Sequence, residues 1–300
     1  MRKVTFLSSF VLKVVALITM AIDHVGMVLP MMYPYNDFIY ELSNAFRCIG
    51  RLALPLFVFM IVEGVIHTKN FKGYLIRLGA MAGLISVAFI VMQYTPVRQY
   101  TYSLLRAGNI FIDLSLVAIS VYLLRSKEIW KKCLTLLPLA FSIVSFVVKG
   151  YEYAHPNVNI LWFPEFITMQ YDWFSVVLGI GFYFAYALAD AYIKGIEKYT
   201  GMGKDIYEAN GDYRIIVNVI SFANLMIVSG LYYAMKYIWP EGVFWSVDIQ
   251  LLAIISGALI LLYNGKRGYN AKWFQYGSYL FYPLHLAVIA IVIFIMNGGL

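Results

Sequence analysis

The sequence predicts an all-α integral membrane protein with about nine transmembrane helices. Of its 300 residues, 62% are hydrophobic and only 13% are charged, and the apolar residues form long runs. A soluble domain carries about a quarter of its residues as charged side chains and could not bury so much apolar surface in one core. A bilayer removes this difficulty, because lipid chains are themselves an apolar solvent.

The apolar runs define the expected spans. A helix that crosses the hydrocarbon core needs about 20 mainly apolar residues. Nine runs approach or reach this length, of which the fourth and fifth are short: 6–29, 48–66, 74–93, 108–124, 133–148, 174–193, 215–238, 244–263 and 276–296. The run 157–170 is too short to span and predicts a re-entrant or interfacial segment. No polar loop is long enough to fold alone, so residues 1–300 are expected to form a single membrane domain.

The basic residues predict the orientation. With a cytoplasmic N-terminus, 16 of the 23 lysines and arginines lie in cytoplasmic segments and 5 lie outside, while Lys13 and Arg51 fall within helices. Cytoplasmic loops carry such an excess, which predicts a cytoplasmic N-terminus and an outer C-terminus. The cytoplasmic set is Arg2, Lys3, Lys69, Lys72, Arg77, Arg125, Lys127, Lys131, Lys132, Lys194, Lys198, Lys204, Arg214, Lys266, Arg267 and Lys272, and the outer set is Arg47, Arg98, Arg106, Lys149 and Lys236.

Ionisable and polar side chains gather in the outer half of the predicted spans. They are Asp23, His24, Arg47, Arg51, Asn109 and Asp113, with His285 near the middle of the ninth span. A charge at the bilayer centre costs about 2.5–3.5 kcal/mol on insertion scales, so each such group needs a reason. The simplest arrangement pairs Asp23 or Asp113 with an arginine and leaves His24 facing a cavity. An ion-pair network that only fixes helix packing would explain the acidic and arginine residues equally well.

Two further groups of residues are candidates for binding. In FYPLHL, Tyr282 and His285 share a helix face with Ser278, and Pro283 removes a helical hydrogen bond, which is consistent with a pocket. At the inner end of the second span, a polar and basic group could be the ordinary positive-inside signal or a clamp for the phosphates of a cytosolic cofactor. That group comprises Glu63, His67, Lys69, Lys72, Tyr74 and Arg77.

Other kinds of chemistry lack a signal. No cluster of His, Cys and Glu has metal-ligand spacing, and two cysteines support no disulfide framework. We therefore expect no metal. The net charge of +7 is carried mainly by loops, so we expect the lipid bilayer and no nucleic acid as a partner.

Four segments carry a resemblance to a known family. They are VVALITMAIDHVGMVL, RCIGRLALPLFVFMIVEGVIHTKNFKGYLIRL, GNIFIDLSL and FYPLHL. In this order they closely resemble the TraX family, which is named for the membrane protein that acetylates the amino terminus of F pilin. The first part also looks like a wider class of transmembrane acyltransferases that includes the acyltransferase-3 proteins. Asp113 stands where the family pattern leads us to expect a threonine or another small polar residue.

The resemblance implies a multi-pass protein of a bacterial cell membrane that transfers an acyl group from acyl-CoA, in particular acetyl-CoA. The donor would bind on the cytoplasmic side. The acceptor, an envelope or extracellular amine or hydroxyl such as a pilin-like N-terminus, a glycan or a small amine, would bind on the outer side. The hypothesis assigns catalysis to His24, Asp23 and His285, acceptor binding to Arg47, Arg51, Asn109, Asp113 and Tyr282, and donor binding to Glu63, His67, Lys69, Lys72, Tyr74 and Arg77.

The alternative is a secondary transporter or proton-coupled flippase. Histidine, aspartate and arginine inside a membrane are equally expected on an ion pathway. Transporters more often show inverted repeats and paired broken helices, and neither is evident in the sequence. A structural subunit of an envelope assembly is a third hypothesis.

Overall fold

The computed structural model describes residues 5–94, 108–155, 158, 160–239 and 247–296. Within these ranges the regular structure is helical, apart from an isolated bridge between Leu7 and Tyr263. Seven helical stretches are long and apolar enough to cross a membrane: Ser9–Met32, Asp37–His67, Phe71–Gln93, Ile129–Ala154, Glu165–Thr200, Asp212–Ile238 and Lys272–Met296. Two shorter apolar helices cover Ile110–Leu124 and Asp248–Leu261.

The predicted helical class with long apolar spans is confirmed for the described residues, and each predicted span overlaps one of these nine helical stretches. The number of crossings and the orientation stay predictions, because the two short helices fall below the length of an ordinary span. Four basic residues that entered the orientation argument, Arg2, Lys3, Arg98 and Arg106, lie outside the described residues.

The individual helices are α1 Ser9–Met32, α2 Asp37–Gly50, α3 Ala53–His67, α4 Phe71–Gln93, α5 Ile110–Leu124, α6 Ile129–Cys133, α7 Leu136–Ala154, α8 Asp172–Thr200, α9 Lys204–Asn210, α10 Asp212–Ile238, α11 Val247–Gln250, α12 Ser256–Leu261 and α13 Lys272–Met296. Short 3₁₀ turns cover Glu165–Ile167 and Leu251–Ile255.

The second predicted span is longer than expected and is broken. Helix α2 begins at Asp37, where the Asn36 side chain caps the backbone N–H of Ile39, and the chain turns at Arg51 and Leu52 before α3 begins. Side chain capping of this kind satisfies a backbone donor that the helix itself leaves free. Because α2 is amphipathic and carries several polar residues, its first turns lack the continuous apolar run from which the span was predicted.

Helices α1 and α2 pack with their backbones unusually close. A Cβ atom added to Gly26 would lie 2.7 Å from the Cβ of Phe46, and one added to Gly50 would collide with the carboxyl group of Asp23. The Ser43 hydroxyl donates a 2.6 Å hydrogen bond to the Gly26 carbonyl. Small residues permit this approach in membrane helices, and here it brings the end of α2 against the middle of α1.

Helix α3 lies at the centre of the bundle. Phe59 is 1% exposed and makes edge-on contacts with Phe182 of α8 and with Tyr263, each with ring centroids 5.4 Å apart. In contrast, α4 and α13 carry exposed apolar side chains such as Val87 and Val288. Apolar side chains on the outside of a bundle are compatible with lipid.

The segment before α8 is short, irregular and packed inward. Its Thr168 and Met169 are buried, and the Ser86 hydroxyl of α4 donates to the Phe166 carbonyl at 2.7 Å. Asp113 of α5 accepts the backbone N–H groups of Gln170 and Tyr171 at 2.7 and 3.0 Å. The later part of the predicted 157–170 segment therefore packs inward as a connection to α8, whereas Leu161 and Trp162 in its earlier part are exposed.

The beginning and the late part of the chain meet at one end of the bundle. The backbone N–H groups of Ser9 and Phe10 donate to the carbonyls of Lys266 and Arg267, and that of Asn264 donates to the Leu7 carbonyl. These bonds hold the loop between α12 and α13 against the start of α1. They thereby position Arg267 beside the cavity described below.

Candidate functional site

A buried ion-pair cluster joins α1 to the end of α2. The Asp23 carboxylate accepts hydrogen bonds from Arg47 Nη1 at 3.0 Å and from Arg51 Nη2 at 2.6 Å. Asp23 and Arg51 are each 3% exposed. The expected pairing of Asp23 with arginine is thus seen, and it uses both guanidinium groups.

The cluster extends to a residue that was not among the sequence candidates. Arg51 Nη1 donates to the Gln250 side-chain oxygen at 3.2 Å, Arg51 Nε donates to the Arg47 carbonyl, and the Arg51 guanidinium lies 5.8 Å from the Tyr171 ring centroid. Gln250 was missed because a single amide inside the predicted span 244–263 gives no periodic signal. With one carboxylate and two guanidinium groups, the paired charges of the cluster sum to one positive charge.

The two intramembrane histidines are hydrogen-bonded to each other. His24 Nδ1 lies 2.6 Å from His285 Nε2, the two rings are parallel within 2°, and His285 Nδ1 lies 2.7 Å from the Phe281 carbonyl oxygen. A carbonyl only accepts, so His285 Nδ1 must carry the proton of its neutral ring. His285 Nε2 then accepts from His24 Nδ1–H, and the lone pair of His24 lies on Nε2.

Tyr282 connects this histidine pair to a cavity. Its ring packs edge-on against His24, His285 and Phe111, with centroids 5.6, 5.5 and 5.4 Å apart. Tyr282 also lines a cavity of about 490 Å³ between α1, α3, α4, α5 and α13. His24 itself does not line the cavity, because the Tyr282 ring lies between them.

The opposite end of the cavity is cationic. Lys13, Arg77 and Arg267 line it together with His67, at the end of the bundle where α1, α4 and α13 begin and α3 ends. Within the described ranges, no carboxylate lies within ion-pair distance of the first three. The middle of the cavity is mainly apolar, with Met20, Ile61, Ile110 and Leu114 in its wall.

Glu63 lines the cavity but is already paired. It accepts from Arg214 Nη1 at 2.6 Å and from the Tyr263 hydroxyl at 3.4 Å, and His67 Nδ1 lies 3.7 Å from its carboxylate. Arg214 also donates to the Tyr186 hydroxyl at 2.8 Å. This network ties α3 to α8 and α10, so Glu63 neutralises Arg214 rather than the cations of the cavity.

The remaining sequence candidates lie elsewhere. Tyr74 lines the cavity beside Arg77, whereas Lys69 and Lys72 are exposed and lie outside its lining. Asn109 caps α5 through the Phe111 N–H and donates to the Ala82 carbonyl at 2.8 Å. Asp113 holds the segment before α8. The hydrogen bonds of these two residues are therefore made with the protein itself.

Comparison with known proteins agrees with the motifs. Residues 8–196 match the family described as TraX protein. The chain belongs to the TraX family. It is also 24% identical over 305 aligned positions, covering 96% of each chain, to a protein of Dichelobacter nodosus described as "Probable fimbrial assembly protein FimC, serogroup H1". No solved structure matches.

The matched TraX region holds only part of the arrangement described above. It contains Asp23, His24, the two arginines and the parts of α1, α3, α4 and α5 that line the cavity. Gln250, Arg267, Tyr282 and His285 follow after its end, in α11, the α12–α13 loop and α13. In the described ranges, no group of three or more His, Cys, Asp or Glu side chains could hold a metal ion. Proton transfer by the histidines and anion binding by the cations are the chemistry that these side chains offer.

Proposed function

We propose that this TraX-family protein is a membrane-embedded acyltransferase that uses acyl-CoA, in particular acetyl-CoA. The observation that carries the proposal is a cavity with cations at one end and, at the other, a tyrosine packed on a histidine pair; among the described residues, these cations have no carboxylate within ion-pair distance. Anionic phosphates suit the first end, and a base suits the second.

The cavity wall matches the parts of the donor in order. Arg77, Arg267 and Lys13 would bind the phosphates, for which guanidinium and ammonium groups are the usual partners. The apolar middle would hold the pantetheine arm. The thioester would then lie near Tyr282, whose ring must turn aside for the carbonyl carbon to approach His24.

His24 would act as the general base. Its Nε2 accepts a proton from the acceptor amine or hydroxyl while the acceptor atom bonds to the thioester carbonyl carbon. The carbon–sulfur bond then breaks, and His24 returns the proton to the leaving thiolate. His285 holds His24 in the tautomer with a free Nε2, because its own Nδ1 is committed to Phe281. Holding both reactants and excluding water supplies much of the rate.

The proposed topology places donor and acceptor on opposite sides. Nine spans with a cytoplasmic N-terminus put the cationic end of the cavity in the cytoplasm and the Asp23 cluster toward the outside. The fimbrial assembly description of the D. nodosus relative supports an acceptor in pilus assembly, such as a pilin-like amino terminus. A glycan or a small amine of the envelope fits the same chemistry.

The orientation can be tested with single cysteines at Asp37 and Lys69, after Cys48 and Cys133 are replaced by serine. An impermeant maleimide applied to intact cells is expected to label Asp37→Cys, and to label Lys69→Cys only after the membrane is opened. Both positions are exposed, so burial does not bias the result. Labelling of both positions from the same side would refute the topology.

The donor site can be tested by a matched pair of variants on α4. Arg77→Gln is expected to weaken binding of radiolabelled acetyl-CoA about tenfold, since a hydrogen bond to a charged group contributes about 1.5–3 kcal/mol. Lys72→Gln removes a charge one and a half turns away that does not line the cavity, and it should leave binding near the wild-type value.

Equal losses of acetyl-CoA affinity in the two variants would show that binding depends on the overall positive charge of this end of the protein and not on a specific contact with Arg77. If the folded wild-type protein does not bind acetyl-CoA at millimolar concentrations of acetyl-CoA, the acyltransferase proposal is refuted and the transporter hypothesis is favoured.

A further inference from the structure

Arg47 and Arg51 differ in how fully their guanidinium groups are used. Arg51 donates from Nε, Nη1 and Nη2 to three different oxygens. Arg47 donates from Nη1 alone, to Asp23. Within the described residues its Nε and Nη2 have no hydrogen-bond partner, and its side chain keeps 10% of its surface exposed. Arg51 is therefore an anchor of the cluster, whereas Arg47 has an open edge.

The open edge is the one that binds oxyanions best. Nε and Nη2 of an arginine lie side by side in one plane and can donate two parallel hydrogen bonds to a carboxylate or a phosphate. A lysine in the same place would offer a charge without this geometry.

The cluster has one uncompensated positive charge and, among the described residues, one buried hydrogen-bond donor without an acceptor. Asp23 neutralises only one of the two guanidinium groups, and among the described residues no second carboxylate lies within ion-pair distance of either. The Gln250 amide nitrogen, in a side chain bound to Arg51, is buried and has no hydrogen-bond partner among the described residues. A buried charge without a partner and a buried donor without an acceptor each cost free energy. An oxyanion bound at Nε and Nη2 of Arg47 would reduce the first of these costs.

The geometry points to an oxyanion subsite at Arg47 that holds a carboxylate or phosphate group of the acceptor, next to His24. This inference rests on the proposed function, and it narrows the acceptor to a molecule with an anionic group near its reacting amine or hydroxyl. The excess positive charge also disfavours a protonated ammonium, so the acceptor amine would be held in its neutral, nucleophilic form.

Arginine modification with butanedione, read at each residue by mass spectrometry, tests the subsite directly. Protein in phosphatidylcholine nanodiscs would be treated alone, with benzoate, with phenyl phosphate, and with the matched neutral compound benzamide. Benzoate and phenyl phosphate are expected to slow modification of Arg47, and benzamide is not. CoA is expected to slow modification of Arg77 without affecting Arg47, which reports on the donor site separately.

A second measurement uses transfer of labelled acetyl groups to 3-aminopropanoate and to its neutral amide. Wild-type protein is expected to prefer the carboxylate about tenfold in kcat/KM, and Arg47→Lys to lose that preference while acetyl-CoA binding is retained. The comparison within one variant does not depend on how much protein folds.

Equal modification of Arg47 with and without both anions would overturn the subsite. Full protection by added phosphatidylglycerol alone would assign it to a lipid headgroup and overturn the acceptor assignment. Protection of Arg47 by the anions, combined with no acetyl transfer to any acceptor and no CoA effect at Arg77, would retain the oxyanion site and reject the acyltransferase function on which its acceptor role rests.

Discussion

Asp23→Ala is expected to lower the free energy of unfolding by about 3–5 kcal/mol, the usual effect of removing one partner from a buried ion pair. Two guanidinium groups, 8% and 3% exposed, would lose their shared carboxylate. Arg51, the more deeply buried of the two, would keep its charge without a carboxylate within ion-pair distance among the described residues. Thermal unfolding in detergent and the yield of folded protein measure the loss.

Asp37→Ala is the matched control, because this acidic residue begins α2 but is exposed. It should unfold close to the wild-type temperature. In the Asp23→Ala background, replacing both Arg47 and Arg51 by methionine is expected to restore much of the stability, since apolar replacement of a whole buried cluster is often neutral. Wild-type unfolding of the single Asp23→Ala variant would show that the ion pairs contribute little.

His24→Ala is expected to lower acetyl transfer by about 10²–10⁴-fold, the usual contribution of a general base. Affinity for acetyl-CoA should change little, because His24 does not line the cavity. The rate is measured as transfer of labelled acetyl groups in proteoliposomes, with donor binding measured on the same samples.

His285→Ala should reduce the rate less, since His24 keeps its Nε2 but loses the partner that fixes its tautomer. His155→Ala, an exposed histidine outside the site, serves as the control. A larger loss in His285→Ala than in His24→Ala would reverse the proposed roles, and full activity in both would contradict catalysis by this pair.

The spans were predictable because a helix is the simplest way to satisfy the backbone in lipid, so apolar length alone marks it. Helix α2 shows a feature that apolar length does not predict. Its polar first turns resemble a loop by hydropathy, and its close packing on α1 depends on Gly26 and Gly50, where an added Cβ would collide with the facing helix. Such packing depends on which helices become neighbours, and a hydropathy pattern does not predict this.

The sequence predicted which types of residue form the site better than it predicted which of them contact each other. The sequence predicted that Asp23 or Asp113 pairs with an arginine, and in the structure Asp23 pairs with both Arg47 and Arg51. The bond between His24 and His285 could not be predicted, because it depends on the relative height of two helices from opposite ends of the chain. Charge near a helix end likewise did not show that Arg267 lines the cavity while Lys69 does not.

The contacts of Asp23 and His24 form at different times during protein synthesis. Arg47 and Arg51 follow Asp23 by 24 and 28 residues, whereas His285 follows His24 by 261. At 5–20 residues per second, that interval lasts roughly 13–52 s on the ribosome. The nascent chain can therefore pair the Asp23 carboxylate with arginine as soon as α1 and α2 form a hairpin. The neighbouring His24 imidazole gains its hydrogen bond to His285 only after α13 has been synthesised. A chain whose translation stops before α13 could form the ion pairs of Asp23, but its His24 would lack the hydrogen bond to His285.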